Sequence, residues 1–145
     1  MEAIVLLCDF AEALNGKLYT MGAGWATVVT FQPFNTYVAV RLSVPWNATN
    51  QRHKLNLGLE TEDGEPVMHP LQTEQQMRVE GEFEVGRPSG MKPGTPIVNC
   101  LVLPFLGLDL PDGGYAFVLK IDDSEVARAT FTVQRLQVPP GVQIA

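Results

Sequence analysis

Hydrophobic and polar residues alternate with a period of two along most of the chain. In YVAVRLSV, residues 37–44, and in RHKLNLGLE, residues 52–60, nearly every second side chain is apolar. A strand turns successive side chains to opposite faces, so each segment predicts a half-buried β-strand. QMRVEGEFEV, residues 76–85, alternates in the same way and turns a row of glutamates outward. We interpret that row as a solvated strand face and not as a cation site, because carboxylates two positions apart on a strand spread out.

Turn-forming residues separate the predicted strands. EDGE, residues 62–65, contains an Asp-Gly signal that predicts a reversal. GRPSGMKPGTP, residues 86–96, is rich in proline and glycine, which suppress both helix and ladder hydrogen bonds, so it predicts a long loop.

A cluster of carboxylates near the end of the chain poses a choice between a metal loop and a hairpin. Neither Asp109 nor Asp112 starts the spacing of acids, glycine and terminal glutamate that an EF-hand requires. The period of two runs through residues 115–121 and resumes at residues 127–133. The segment therefore predicts two strands joined by a polar reversal at residues 122–124.

The remaining apolar segments lie at the start of the chain and before the last hairpin. IVLLCDFAEAL, residues 4–14, and LYTMGAGWATVVTF, residues 18–31, predict two strands joined by an Asn-Gly turn, the second loosened by its glycines. IVNCLVLPFLGLDL, residues 97–110, is almost continuously apolar. It predicts a strand that is buried on both faces or changes face, with a bulge or kink near Pro104 and Phe105.

Together these segments predict an all-β fold. No segment has a sustained 3.6-residue period, and eight or nine strands with Gly, Pro, Asn and Asp in their connections indicate a two-sheet antiparallel β-sandwich of immunoglobulin-like class. A barrel or jelly roll is the alternative. We expect one β-sandwich domain over residues 1–136 and a C-terminal tail over residues 137–145.

Three stretches resemble an uncharacterised family of bacterial domains that is common in actinobacteria. They are CDFAEALNGKLYTMGAGW, residues 8–25, LGLETEDGEPV, residues 57–67, and LPDGGYAFVLKIDDSEVARATFTV, residues 110–133. The first resembles the opening of that family, and the other two resemble its central and final hairpins. The resemblance implies a compact sandwich without assigned activity in a bacterial cytoplasm, and it carries over no catalytic or binding residue.

Composition and charge disfavour some classes of binding partner. The 145 residues carry a formal charge of -6 at pH 7, with a pI near 4.8 and no cluster of Lys or Arg. This charge opposes binding to nucleic acid or anionic lipid. No apolar run reaches the roughly 18 residues of a membrane helix, so we expect a soluble protein without a membrane segment. The resemblance to the bacterial family implies a cytoplasmic location. We expect no cofactor.

Few side chains offer catalytic chemistry. His53 and His69 are the only candidates for a base near neutral pH, and a hydrolase would depend on one of them. Cys8 has Asp9 beside it, which raises the pKa of a thiol and suppresses the thiolate. Cys8 and Cys100 share no short spacing with the histidines, so we expect no zinc site. We also expect no disulfide, because two cysteines in a sequence without a recognisable export signal are more often small buried hydrophobic residues.

Two aromatic residues are candidates for a binding surface. Trp25 lies among apolar strand residues, which favours the core. Trp46 ends a strand before the polar loop NATNQR, so its ring is a candidate platform for a carbohydrate or another small ligand, together with the loops at residues 46–52 and 86–96.

The absence of converging catalytic groups favours a protein that is not an enzyme. Our first hypothesis is a structural or interaction module that binds a protein partner or associates with itself. Its candidate surfaces are the two-sided apolar strand at residues 97–108 and the glycine-rich second strand.

Overall fold

The computed structural model describes residues 1–142 and is built almost entirely from β-strands. Over these residues it has ten strands and one short 3-10 turn, Trp46–Ala48. The strands are β1 Glu2–Cys8, β2 Phe10–Leu14, β3 Lys17–Met21, β4 Thr27–Thr30, β5 Phe34–Val44, β6 Arg52–Thr61, β7 Arg78–Glu84, β8 Ile97–Leu108, β9 Gly113–Ile121 and β10 Ser124–Arg135.

The strands form three sheets, arranged like a sandwich with an added hairpin. A five-stranded sheet has the order β4-β10-β9-β6-β7, and a three-stranded sheet has the order β1-β5-β8. The β2–β3 hairpin forms a separate two-stranded sheet. The prediction of an all-β fold is confirmed, with ten strands where the sequence indicated eight or nine.

The core lies between the inner faces of the two larger sheets. The alternating leucines of β6 are buried, as their period of two predicts, and Phe117 of β9 is completely buried at the centre. The Phe117 ring lies 4.7 Å from that of Phe105 on β8 and 5.4 Å from that of Phe131 on β10, measured between centroids. Offset and tilted contacts at this distance favour a fixed aromatic cluster.

The start of the chain differs from the two long strands that the sequence predicts. The first predicted strand breaks at Asp9, and β2 and β3 then fold back over the outer face of the three-stranded sheet. The second predicted strand breaks at residues 22–24, where Gly22 has φ +61° and an added Cβ would collide with the Asp9 carboxylate. Glycine therefore permits a turn here that separates β3 from β4.

The five-stranded sheet is not purely antiparallel, so the prediction of an antiparallel sandwich is wrong for one pair. β4 pairs with β10 in parallel, with Thr27 opposite Thr132. The break at the glycines frees β4 from the hairpin, so the chain crosses to the other sheet and runs beside the last strand. A parallel pair needs such an indirect connection, whereas an antiparallel pair forms across a tight turn.

The predicted turns and the bulge are confirmed. The β9–β10 hairpin reverses at Asp122 and Asp123, both with positive φ, as a two-residue hairpin turn requires. The reversal at residues 62–65 is closed by a hydrogen bond from the Thr61 N–H to the Glu65 carbonyl oxygen. The register of β8 against β5 shifts after Phe105, between its pairing with Thr36 and the pairing of Leu108 with Phe34.

The last strand ends at Arg135. Of the tail expected over residues 137–145, residues 143–145 lie outside the described residues.

Replacement of Phe117 by alanine should reduce the free energy of unfolding by about 3–5 kcal/mol, because it removes a buried ring and leaves a cavity between the sheets. Urea unfolding followed by circular dichroism measures this loss. Leu106→Ala on β8 is the control: its side chain is 58% exposed, so the loss should be within about 0.5 kcal/mol. Equal losses in the two variants would contradict the placement of the core.

Candidate functional site

A buried histidine ties together two loops at one corner of the five-stranded sheet. His53, near the start of β6, is only 6% exposed, and its ring lies against that of Phe83 on the neighbouring strand. Its Nδ1 lies 2.7 Å from Asp122 Oδ2 and its Nε2 lies 2.7 Å from the Ala48 carbonyl oxygen. Both ring nitrogens therefore face hydrogen-bond acceptors, which only the doubly protonated imidazolium can satisfy together.

The carboxylate in this cluster is fixed by the turn that carries it. Asp122 has φ +50°, and its backbone N–H donates to the Lys54 carbonyl oxygen. Its Oδ1 accepts from the Lys54 N–H at 2.9 Å. These contacts hold Asp122 beside the imidazole, although its side chain is half exposed.

The two groups shift each other's protonation. The Ala48 carbonyl and the Asp122 carboxylate raise the pKa of His53 above its ordinary 6.5, against the effect of burial. The hydrogen bonds from His53 and from the Lys54 backbone lower the pKa of Asp122 below 3.8. The cluster thus favours an imidazolium paired with a carboxylate.

Trp46, the candidate ligand platform, lies in the same corner and already has a partner. The Arg87 guanidinium carbon lies 3.9 Å from the centroid of the Trp46 ring. Arg87 Nε donates to Thr49 Oγ1 at 2.6 Å, and its Nη2 donates to the Trp46 carbonyl oxygen at 2.7 Å. One face of the half-buried indole is therefore covered by a cation that two hydrogen bonds hold in place.

The other predicted chemical residues do not converge on this corner. His69 Nδ1 accepts a hydrogen bond from the nearby Leu71 N–H, and within residues 1–142 no hydrogen bond or ion pair joins it to His53 or to either cysteine. Cys8 is completely buried, and burial together with Asp9 raises the pKa of its thiol. Cys100 is half buried, with Sγ 3.6 Å from the Gly16 carbonyl oxygen, and both cysteines are free thiols.

Over the described part of the chain, no group of three or more His, Cys, Asp or Glu side chains could hold a metal ion. In the same part, no helix is long and apolar enough to cross a membrane.

The free edge of β8 is the other candidate site. Its twelve residues pair with β5 on one side, and within residues 1–142 no backbone hydrogen bond joins the other side to any segment. IVNCLVLPFLGL contains no charged residue. The sequence marked this strand as a candidate surface but predicted it as buried on both faces or changing face. The structure places it at an edge, with Val98 40% exposed on the outer face.

The direction of the free backbone groups on β8 follows from the pairing of β1. The Leu7 carbonyl accepts from the Gly24 N–H, so it points away from β5. Val38, opposite Leu7, therefore turns its backbone groups toward β8 and bonds with Leu103. The next residue, Pro104, then faces the free edge, which agrees with its lack of an N–H.

Because the direction alternates along a strand, the backbone N–H and C=O groups of Val98, Cys100 and Val102 also point outward.

Other sheet edges carry the features that normally prevent strand addition. The outer edge strand β7 bears Arg78, Glu80, Glu82 and Glu84, all exposed. β4 has only four residues, and β1 packs beside β10. Charge, shortness and cover protect these edges. β8 is long and is uncharged over residues 97–103, and the β2–β3 hairpin packs on its outer face at Cys100 and Val102 without a backbone hydrogen bond to the edge among the described residues.

Sequence reasoning missed the partners of the predicted residues. Asp122 was interpreted as a turn residue, and its pairing with His53 joins positions 69 residues apart. Arg87 lies in the loop predicted at residues 86–96, and no local pattern signals its position over Trp46.

Comparison with known proteins gives a match to a family model. The family model described as "Family of unknown function (DUF6941)" matches residues 3–134. No curated protein matches the chain.

Replacement of Asp122 by asparagine should lower the pKa of His53, because the variant keeps the turn and the acceptor for Lys54 but loses the negative charge. Titration of the His53 ring protons by NMR measures this change. Asp123→Asn is the matched control, since Asp123 also has positive φ in the same turn but does not bond to His53.

Thermal unfolding at a series of pH values tests the same cluster, because protonation and stability are linked. A raised pKa means that protonated His53 stabilises the fold fully below pH 6.5, and that this contribution is lost as the pH rises through the folded value. The contribution of Asp122 is present above pH 3.8 and is lost as the pH falls through its folded value. The wild-type advantage in Tm over Asp122→Asn should therefore be largest near pH 5–6 and shrink at alkaline pH; a constant advantage would contradict the cluster.

Proposed function

Since the chain belongs to DUF6941, a family of unknown function, we propose its function from its geometry: it is a non-enzymatic module that acts through protein–protein contacts. The observation that carries the proposal is the free edge of β8: within the uncharged segment 97–103, Val98, Cys100 and Val102 turn their backbone groups to the side that, within residues 1–142, has no neighbouring strand. An extended segment of another chain can satisfy these groups by adding a strand, and side-chain pockets then provide specificity.

Side chains beside the edge favour the same use. On the outer face of the three-stranded sheet, Val98 of β8 is 40% exposed. A strand that joins β8 would lie on the side of β8 away from β5, so its side chains would cover part of Val98 and gain free energy from that burial.

The alternative functions have less support. A carbohydrate or small-ligand module would use the face of Trp46, but Arg87 covers one side of that ring and satisfies its own donors there. A hydrolase would need a free base beside a nucleophile. Both nitrogens of His53 are engaged, and the only hydrogen bond to the His69 ring within residues 1–142 comes from a neighbouring backbone N–H.

The wider setting is also part of the proposal. We assign the fold to the immunoglobulin-like class of sandwiches and place the protein in a bacterial cytoplasm, with a protein partner and without nucleic acid or membrane. The acidic net charge of -6 supports the absence of polyanionic partners.

Selection of short linear peptides against the immobilised protein tests the β8 edge. We expect the selected peptides to be rich in β-branched and aromatic residues and to bind as strands. Cys100→Pro should weaken their binding by more than about tenfold, because it removes an outward N–H and introduces a proline ring at the edge. Proline is compatible with this position because Pro104 has the same orientation against β5.

Cys100→Ser is the control, since it removes the thiol and keeps the N–H; its peptide binding should equal that of the wild type. Circular dichroism checks that each variant is folded. In a sample that light scattering shows to be monomeric, failure to recover strand-forming peptides, or equal binding of them to Cys100→Pro, would remove the proposed function.

A further inference from the structure

We infer that the partner of the β8 edge is a second copy of the same chain, paired antiparallel about a twofold axis at Cys100. This inference rests on the proposed function of the edge and adds the identity and register of the partner. The added strand would be β8 of the second copy, so that the two three-stranded sheets form one continuous sheet of six strands.

Proline positions define the segment available for pairing. Pro96 precedes β8 and Pro104 lies within it, and neither has an N–H to donate. The seven residues between them, 97–103, are regularly paired with β5 and lie before the register shift. Cys100 is the central residue of this segment, equidistant from the two prolines.

In this register the outward N–H and C=O groups of one copy lie opposite those of the other copy and can bond with them. Val98, Cys100 and Val102 point their N–H and C=O groups to the free edge, and a twofold axis at Cys100 places Cys100 opposite its own copy and Val98 opposite Val102 of the second copy. Facing residues whose backbone groups both point at the opposite strand form the hydrogen-bonded pairs of an antiparallel ladder. All three donors of each copy then find acceptors, and the prolines face each other at both ends, where no donor is needed.

Side chains and charge are also compatible with a second copy. The outer-face pair joins Val98 of one copy, which is 40% exposed, to Val102 of the other, which is half buried beside the β2–β3 hairpin, and facing β-branched side chains stabilise a sheet. Two chains that each carry a charge of -6 repel one another unless they meet at a neutral surface. Residues 97–103 contain no charge, whereas the β7 edge presents Glu80, Glu82 and Glu84. β8 is therefore a long edge whose own residues place no like charges opposite each other when identical copies meet.

Light scattering coupled to size exclusion over a range of concentrations tests the association. We expect the wild type and Cys100→Ser to dimerise with the same constant. We expect Cys100→Pro to associate more than about tenfold more weakly, because it removes the central pair of hydrogen bonds.

Thiol cross-linking tests the register without depending on the proline variant. In a hydrogen-bonded antiparallel pair the Cα atoms lie about 5.5 Å apart, within the range of a disulfide. In a Cys8→Ala background, mild oxidation should therefore join Cys100 to its copy. In a Cys8→Ala, Cys100→Ser background, Val98→Cys alone and Val102→Cys alone should cross-link poorly, whereas a mixture of the two variants should cross-link well.

The outcomes separate this inference from the proposed function. A wild type that stays monomeric at high concentration while strand peptides still bind the β8 edge would overturn the second copy and leave the proposed function intact. A dimer that survives Cys100→Pro and does not cross-link through Cys100 would place the interface elsewhere and overturn the inference. Efficient cross-linking of Val98→Cys with itself would overturn the register. Absence of both dimer and peptide binding would remove both proposals.

Discussion

Every backbone N–H and C=O in a β-sheet needs a partner, and a sheet that does not close leaves one row of these groups free at each edge. This constraint shapes the whole molecule. The interior strands satisfy it through their neighbours. The free groups of outer strands bond to water, and charge, short length or cover hinders another strand from pairing with them. The exception is β8, whose uncharged residues 97–103 contribute side chains to the core on one face and leave backbone groups free along their outer side.

The corner at His53 illustrates how thoroughly polar groups are paired elsewhere. Within residues 1–142, no buried side-chain nitrogen or oxygen lacks a hydrogen-bond partner. The imidazole of His53 has two acceptors, Asp122 accepts from the backbone of β6, and Arg87 fixes the turn at Trp46. Such a fully hydrogen-bonded cluster holds the two loops together. Against this background, the unpaired edge of β8 is the feature that most favours a binding role.

Much of the fold could be predicted from the sequence because the period of two directly records which side chains face the core. The strands at residues 37–44 and 52–60, the reversal at Asp122 and the bulge after Pro104 all follow from local patterns. Pairing does not follow, since periodicity identifies a face and not a neighbour. The parallel pair of β4 with β10 and the folding of the β2–β3 hairpin onto the outer face therefore depend on contacts that no local pattern contains.

The candidate site was predictable to a similar extent. The apolar, uncharged composition of residues 97–108 is visible in the sequence, but the position of that segment at an edge is not. The roles of His53 and Trp46 likewise depend on Asp122 and Arg87, which are distant along the chain and come from segments interpreted as a turn and a loop.

Amide hydrogen exchange along β8, measured by NMR on a dilute sample, tests the central claim most directly. A free edge with the orientation described here predicts slow exchange at Asn99, Leu101 and Leu103, whose N–H groups bond to β5, and fast exchange at Val98, Cys100 and Val102. Raising the concentration should slow the second set. Equal protection of both sets in the dilute sample, or protection with the opposite alternation, would contradict the account.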